Sequence, residues 1–163
     1  ILNAYASNVG YNGFYKKKRL SKLSMIVDSN GIPISILLAK GNMADPSLFQ
    51  LNIDKLFVKI DYTSNNNKHK RYFLADSAYD SKKIKDSIEQ YGIIPIIWKS
   101  KRTKNIIKFN KQQTAIYKNR IIVENSFSWL FNCRRINRRY DKSLSNTLSF
   151  IYAASCKLLI GRL

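Results

Sequence analysis

The sequence predicts an α/β fold, a mixed sheet flanked by helices, on three observations. A tight Ser29-Asn30-Gly31 turn joins two runs in which apolar and polar residues roughly alternate, the pattern of a β-hairpin. Two short apolar runs, Tyr72 to Ala75 and Ile93 to Trp98, bracket a segment with Ile84, Ile88 and Tyr91 at helical spacing, which reads as strand, helix, strand. Longer stretches near residues 45–59, 112–132 and 143–159 carry helical apolar periodicity.

Taken in order, residues 1–21 are polar, aromatic and basic, contain Lys16-Lys17-Lys18-Arg19, and show neither period, so they read as a loop. The hairpin strands follow at Lys22 to Asp28 and Pro33 to Ala39. Asp45 stands directly before Pro46, a capping side chain ahead of a proline at the first helical position. Leu48, Leu51, Ile53, Leu56 and Phe57 carry that helix to about Lys59. Thr63 to Lys70 is an Asn/Lys-rich loop holding the one histidine, His69, which reads as solvated. Asp76 closes the first buried strand at its carboxyl end. Asp80 and Ser81 cap the following helix, and Gly92 ends it. A basic loop, Lys99 to Lys111, precedes a long helix from about Gln112 to Asn132 with Ile116, Val123, Phe127 and Leu130 on its inner stripe. The last helix, Ser143 to Leu159, is apolar nearly all round and is expected to be largely buried. With no internal repeat or composition break, residues 1–163 read as a single domain, long enough to bury about two-thirds of the unfolded surface.

Composition narrows the function. Two cysteines, Cys133 and Cys156, without a Cys-x-x-Cys pair, exclude a disulfide scaffold and a zinc finger and fit a reduced intracellular setting. The apolar stretch from Leu148 to Ile160 is too short to span a membrane and contains Lys157, and no signal pattern opens the chain, so a soluble protein is expected. The chain begins at Ile1, which suggests a fragment or a processed product. A formal charge of +19 attracts a polyanion before any specific contact forms, which points to nucleic acid. Richness in Lys, Asn and Ile also matches AT-rich codons, but that bias does not account for only ten acids, nor for the cluster Arg134, Arg135, Arg138 and Arg139.

Between Gln90 and Tyr140 twelve lysines and arginines accompany a single acid, Glu124. On one helix Tyr117, Arg120, Glu124 and Phe131 would lie within about 60° of one another, sharing a face. Two readings follow. Arg120 and Glu124 form an i, i+4 ion pair worth a few tenths of a kcal/mol, or Glu124 holds a metal ion against a phosphate. The metal reading needs a second carboxylate, and Asp76 is the best placed, because ligands of open α/β sheets bind beyond the carboxyl ends of strands. Its alternative role is that of a loop acid. Asp28, at the mouth of the tight turn, suits a structural role better than a ligand's.

The run Leu74-Ala75-Asp76-Ser77-Ala78-Tyr79-Asp80-Ser81 resembles the block around the second catalytic aspartate of the DDE transposases of bacterial insertion sequences. Tyr117, Arg120 and Glu124 match the Tyr-x2-Arg-x3-Glu part of that group's YREK signature. Phe127, Leu130, Arg134, Arg135, Arg139, Tyr140 and Asp141 are similar to its downstream block. The hairpin from Val27 to Pro33 and the loop from Lys40 to Asp45 look like that family too, so the resemblance covers nearly the whole chain.

The resemblance implies an RNase H-like fold with Asp76 beside a central strand and Glu124 on a later helix. It implies metal-dependent DNA strand cleavage and transfer in cut-and-paste transposition, with two Mg²⁺ or Mn²⁺ ions held in part by Asp76 and Glu124. Tyr117 and Arg120 would orient phosphates, and the 99–111 loop with Arg134, Arg135, Arg138 and Arg139 would line the DNA path. Transposon ends and target DNA are the implied partners, with a homodimer when complete and no membrane. The expected location is the cytoplasm or nucleoid of a prokaryote, or the nucleus of a eukaryotic host, where the basic run 16–19 resembles an import patch. Two departures stand out. The signature's final lysine falls on Phe131, so that DNA contact is absent or supplied by Lys118 or Arg134. Residues 1–22 contain no acid, so the family's first catalytic aspartate, and the first strand of the sheet, are expected upstream of Ile1. These 163 residues alone are therefore expected to fold marginally and to lack catalysis. The alternatives are a non-catalytic DNA-binding relic of a transposase and an RNase H-like nuclease without strand transfer.

Overall fold

The computed structural model describes residues 2–3, 9–13, 18–57, 70–98 and 109–161. They fall into two compact units, Ile1–Asn52 with Ile122–Leu163, and Ile53–Ile121.

The first unit is built on the hairpin of β3 (Lys18–Val27) and β4 (Pro33–Lys40), antiparallel from Ser21↔Lys40 to Val27↔Pro33. Its turn closes through Asp28, whose Oδ1 accepts from the Asn30 and Ile32 amides at 2.9 and 2.8 Å, while Gly31 takes φ 75°. Asp28 thus has the structural task expected of it. Two short strands, β1 (Leu2–Asn3) and β2 (Gly10–Asn12), flank the start of β3, pairing Leu2 with Ser21 and Gly10 with Leu20. This corrects the reading of residues 1–21 as a loop. Strands of two and three residues show no period of their own; they exist because β3 offers backbone partners.

Alternation along β3 separates two faces. On one, Leu23 and Met25, with Ile36 and Leu38 of β4, form a core with Leu130, Ile136, Ile151 and Ala154. These come from α4 (Ile121–Phe131), α5 (Arg134–Asn137) and α6 (Leu144–Ile160). The other face meets α1 (Asp45–Phe57), where the fully buried Asn52 donates to Ser24 Oγ at 3.0 Å and accepts from Ser35 Oγ at 2.6 Å. The hairpin is therefore sandwiched between helices. Asp45 lies inside the first turn of α1 rather than capping it, and its carboxylate pairs with Lys22 Nζ at 2.8 Å. Lys22 also donates to the Met43 carbonyl at 2.9 Å, tying the 41–45 loop to β3.

The second unit is the expected strand, helix, strand: β5 (Tyr72–Ala75), a 3-10 turn at Ser77–Tyr79, α2 (Lys82–Glu89) and β6 (Ile94–Ile97), with β5 and β6 parallel and Tyr72 opposite Ile94. Ile84 and Ile88 of α2 are buried with Ala75, Ile96 and Ile97 of the strands. Ser81 alone caps α2, accepting from the Ile84 amide at 3.3 Å. Asp80 instead pairs with Lys85.

Two helical expectations change. The single helix over 112–132 is two, α3 (Lys111–Lys118) and α4, broken at Asn119 and Arg120. Both amides there turn back on the preceding turn, Asn119 to Ile116 O and Arg120 to Tyr117 O, each at 3.0 Å. Tyr117 and Arg120 consequently belong to α3 and the break after it, and Glu124 to α4. α6 is also less buried than its composition suggested. Only Thr147, Ile151, Ala154 and Leu158 are buried, one stripe at helical spacing, while Tyr152 and Ile160 stand 42% and 71% exposed. Hydrophobicity told which residues are apolar; the single contact face decided which are covered. No helix among the described residues is long and apolar enough to cross a membrane.

Candidate functional site

Asp76 follows the last residue of β5 and is exposed, as its place after an apolar strand requires. Its Oδ1 accepts from the Ser77 amide at 2.6 Å and caps the 3-10 turn, which fixes the carboxylate while leaving Oδ2 outside that bond. Tyr117, near the end of α3, is the neighbour that registers this charge. Burial raises its phenol pKa above the ordinary value, and Asp76 raises it further, against the lowering effect of the Arg120 charge and hydrogen bond. The structure thus brings Asp76, Tyr117 and Arg120 into one electrostatic group within the second unit. The Tyr117 ring is held by Trp98 and Phe109, with centroids 5.6 Å away in each case. Those two aromatics were not singled out from the sequence. Their signal was available, since Trp98 directly follows β6 at the same carboxyl end as Asp76.

Glu124 lies in the first turn of α4, exposed, in the first unit. Negative charge in a first turn complements the helix dipole. The helix beneath it is fixed by Leu130 in the core and by Ser126, 1% exposed, whose Oγ lies 2.7 Å from the Gly31 carbonyl. Phe127 and Phe131 stack with centroids 5.9 Å apart, so the position that the signature gives to lysine is occupied by an aromatic contact.

The four arginines expected along the DNA path separate sharply. Arg139 is 4% exposed, and its guanidinium donates to Ser21 Oγ at 2.7 Å and to the Asp141 and Lys142 carbonyls at 2.9 Å each. Burial lowers its pKa from the ordinary arginine value, with the Asp141 charge opposing. A side chain so enclosed has no face for a phosphate, and Arg139 is structural. Arg135 lies 4.4 Å from the Phe150 ring centroid and 3.7 Å from Asp141 Oδ1. Arg134 and Arg138 are exposed. The loop over 99–108 and the basic residues 16–17 lie outside the described residues, as does His69.

The second unit thus carries an exposed carboxylate at the carboxyl end of a parallel strand, electrostatically coupled to a tyrosine that an arginine also influences, in a chain of +19. Residues 5–159 match the family Transposase DDE domain, and the chain belongs to that family. It is also 26% identical over 136 residues to the "putative transposase for insertion sequence element IS402" of Burkholderia cepacia. That match takes in 83% of this chain and 61% of the relative's length. No solved structure matches the chain.

Proposed function

We propose that residues 1–163 form one catalytic domain of an insertion-sequence transposase that cleaves and joins DNA strands with divalent metal ions. The observation that carries this reading is Asp76, exposed and held by its cap at the carboxyl end of β5 beside Tyr117 and Arg120. Asp76 and Glu124 offer only hard carboxylate oxygens, the donors that Mg²⁺ and Mn²⁺ take, and one or two carboxylates suffice when phosphates and waters complete the shell. Among the described residues no group of three His, Cys, Asp or Glu side chains gathers at one point, and Asp76 and Glu124 are each proposed as a ligand on their donor chemistry and on the family resemblance. When bound, such ions would lower the cost of charge on the attacking and leaving oxygens. The chain's own share is to place the ligands. The Ser77 amide holds Asp76, Ser126 and Leu130 hold α4 under Glu124, and Arg120 with Tyr117 supplies donors for phosphate oxygens. DNA, as element ends and target, is the proposed partner, engaged by a homodimer inside the cell that carries the element.

Cleavage by the full-length protein of DNA bearing its element's ends is expected to require Mg²⁺ or Mn²⁺ and to disappear in Asp76→Ala and Glu124→Ala. Undiminished cleavage by either variant would overturn the assignment. A second reading, a DNA-binding protein without catalysis, is favoured by the charge of +19. It expects DNA affinity indifferent to Mg²⁺ and to Glu124→Gln.

A further inference from the structure

The helix α3 carries Tyr117 and leads into Arg120, yet it is only 8 residues long and none of them is buried. A helix that short is marginal in water without tertiary packing. Its first turn is closed by a capping box, in which Asn110 Oδ1 accepts from the Gln113 amide at 2.7 Å and Gln113 Oε1 accepts from the Asn110 amide at 3.1 Å. That box shapes the helix but ties it to no other element. Its large apolar residues, Ile116 and Tyr117, are half-buried. Three rings supply the tie. Trp98 and Phe109 meet edge to face with centroids 4.9 Å apart, and each lies 5.6 Å from the Tyr117 ring. The exit of β6, the residue before the α3 cap, and α3 itself therefore close on one aromatic triangle within the second unit.

The triangle stands next to Asp76. The parallel register ends with Ala75 opposite Ile97, so the residues that follow, Asp76 and Trp98, leave neighbouring strands at the same level. Ile97, 3% exposed, anchors the backbone just before Trp98 in the core of this unit, while Trp98 itself is 39% exposed. The Asp76 charge acts on the Tyr117 phenol, which agrees with the carboxylate's nearness to that ring. The Arg120 amide donates to the Tyr117 carbonyl at 3.0 Å, so the backbone of Arg120 follows that of Tyr117. Contacts between rings are directional as well as apolar, and they set an orientation that aliphatic packing would leave free.

We propose that Trp98 and Phe109 are positioning residues for DNA strand cleavage: their rings seat Tyr117, and with it Arg120, beside Asp76 at the carboxyl end of β5. The cleavage role rests on the transposase reading, whereas the seating of α3 does not. Neither ring touches the reacting atoms. Removing either one leaves Asp76 on its Ser77 cap and every charge in place, but frees α3 to shift against β6. A misplacement of about 1 Å in a group that orients a reacting phosphate costs on the order of 100-fold in rate. Phosphate contacts elsewhere on the protein keep the DNA bound meanwhile.

Two measurements on the full-length protein test this. In the first, DNA bearing the element's ends is bound in chelator, its dissociation constant is measured, and a single turnover of cleavage is started with Mg²⁺. Trp98→Ala and Phe109→Ala are expected to slow cleavage at least about 10-fold while the dissociation constant changes less than about threefold. Trp98→Phe, which keeps a ring, should recover most of the rate. Trp98→Leu, which keeps apolar bulk without a ring, should be slow as well, and it serves if the alanine variant does not fold. In the second, hydrogen–deuterium exchange without DNA or metal should show α3 amides exchanging faster in Trp98→Ala than in the parent, near the parent's rate in Trp98→Phe, and β3 and β4 unchanged. Full cleavage rate in both alanine variants, no recovery in Trp98→Phe, or unchanged exchange in α3 overturns the proposal. Affinity lost in step with the rate overturns it too, because that marks a ring in contact with DNA. Faster exchange throughout β3 and β4 does the same, as the mark of general destabilisation. A parent that does not cleave element ends overturns the transposase reading and the cleavage role with it, and the exchange comparison still decides whether the rings seat α3.

Discussion

At the scale of single residues, charge identity says little until burial is known. Arg135 and Arg139 look alike in the sequence as members of one basic cluster, yet one is 56% exposed at its side chain and the other is enclosed by three acceptors. Burying a guanidinium is costly unless its donors are met, and here β3 and the 141–142 carbonyls meet them. Arg139→Ala should therefore destabilise the fold by about 2–4 kcal/mol in urea unfolding, whereas Arg138→Ala should change stability by less than about 0.5 kcal/mol. Equal effects of the two would contradict the division between them. Tyr140 gives a pH-dependent companion to this contrast. Its folded pKa lies below the unfolded value of about 10, so the phenolate's attraction to Arg134 and Arg138 is fully present above that value and is lost as pH falls through the folded pKa. Near-ultraviolet difference titration against Tyr140→Phe should reveal a phenol ionising below the ordinary tyrosine range. A phenol at or above that range would mean that the guanidiniums do not reach it.

Elements are held by a few polar contacts in an otherwise apolar interior. Asn52 is the clearest case, a fully buried amide bonded to Ser24 on β3 and Ser35 on β4. An apolar residue there would pack on the hairpin with no preferred register, while the amide accepts only one. Asn52→Ala removes the side-chain bonds to both hydroxyls, leaving Ser35 only its 3.4 Å contact with the Asn52 carbonyl, and is expected to cost about 2 kcal/mol or more in thermal or urea unfolding. Close backbone approach sets a second constraint. A Cβ on Gly41 would come within 2.2 Å of Leu20 Cδ1 and 2.6 Å of the Leu20 carbonyl oxygen, and the Gly41 amide donates to that same oxygen at 2.9 Å. Gly41→Ala should thus lower stability by roughly 1–3 kcal/mol through displacement of β3 from the loop that follows β4. A variant as stable as the parent would show that this approach relaxes without cost. The break between α3 and α4 belongs to this scale as well. Helical periodicity runs almost unbroken across 112–132, and it outweighs the weak stop signal of Lys118-Asn119, where Asn119 caps α3. The break arises where the chain passes from one compact unit to the other.

For the molecule as a whole, a charge of +19 governs encounter with a polyanion, and its effect is collective. Binding to duplex DNA should weaken by orders of magnitude between low and physiological salt, as counterion release demands of a protein making several phosphate contacts. A shallow salt dependence would mean that the charge is dispersed over surfaces that DNA does not touch. The polar segregation of the first unit agrees with such a use. Its core is apolar on one sheet face and tied by Asn52 on the other, leaving Arg134 and Arg135 of α5, with Arg138 just after it, at the surface.

The sequence by itself determined the local grammar: the Asp28 to Gly31 turn, the two hairpin strands, the strand, helix, strand unit with Asp76 at a carboxyl end, and the resemblance that ties Asp76 to Glu124. Each of these depends on neighbours a few residues apart, so period and turn chemistry suffice to read them. Tertiary structure alone decided the pairing of β1 and β2 to β3, the break before α4, the single buried stripe of α6, and the separation of one buried arginine, Arg139, from three similar ones that stay exposed. Those outcomes depend on which surfaces residues beyond the local pattern present to one another, as in the pairing of Leu2 with Ser21 or the bond from Arg139 to Ser21. Hydrogen-bond satisfaction and burial act only once those surfaces have met, and no local pattern encodes the meeting.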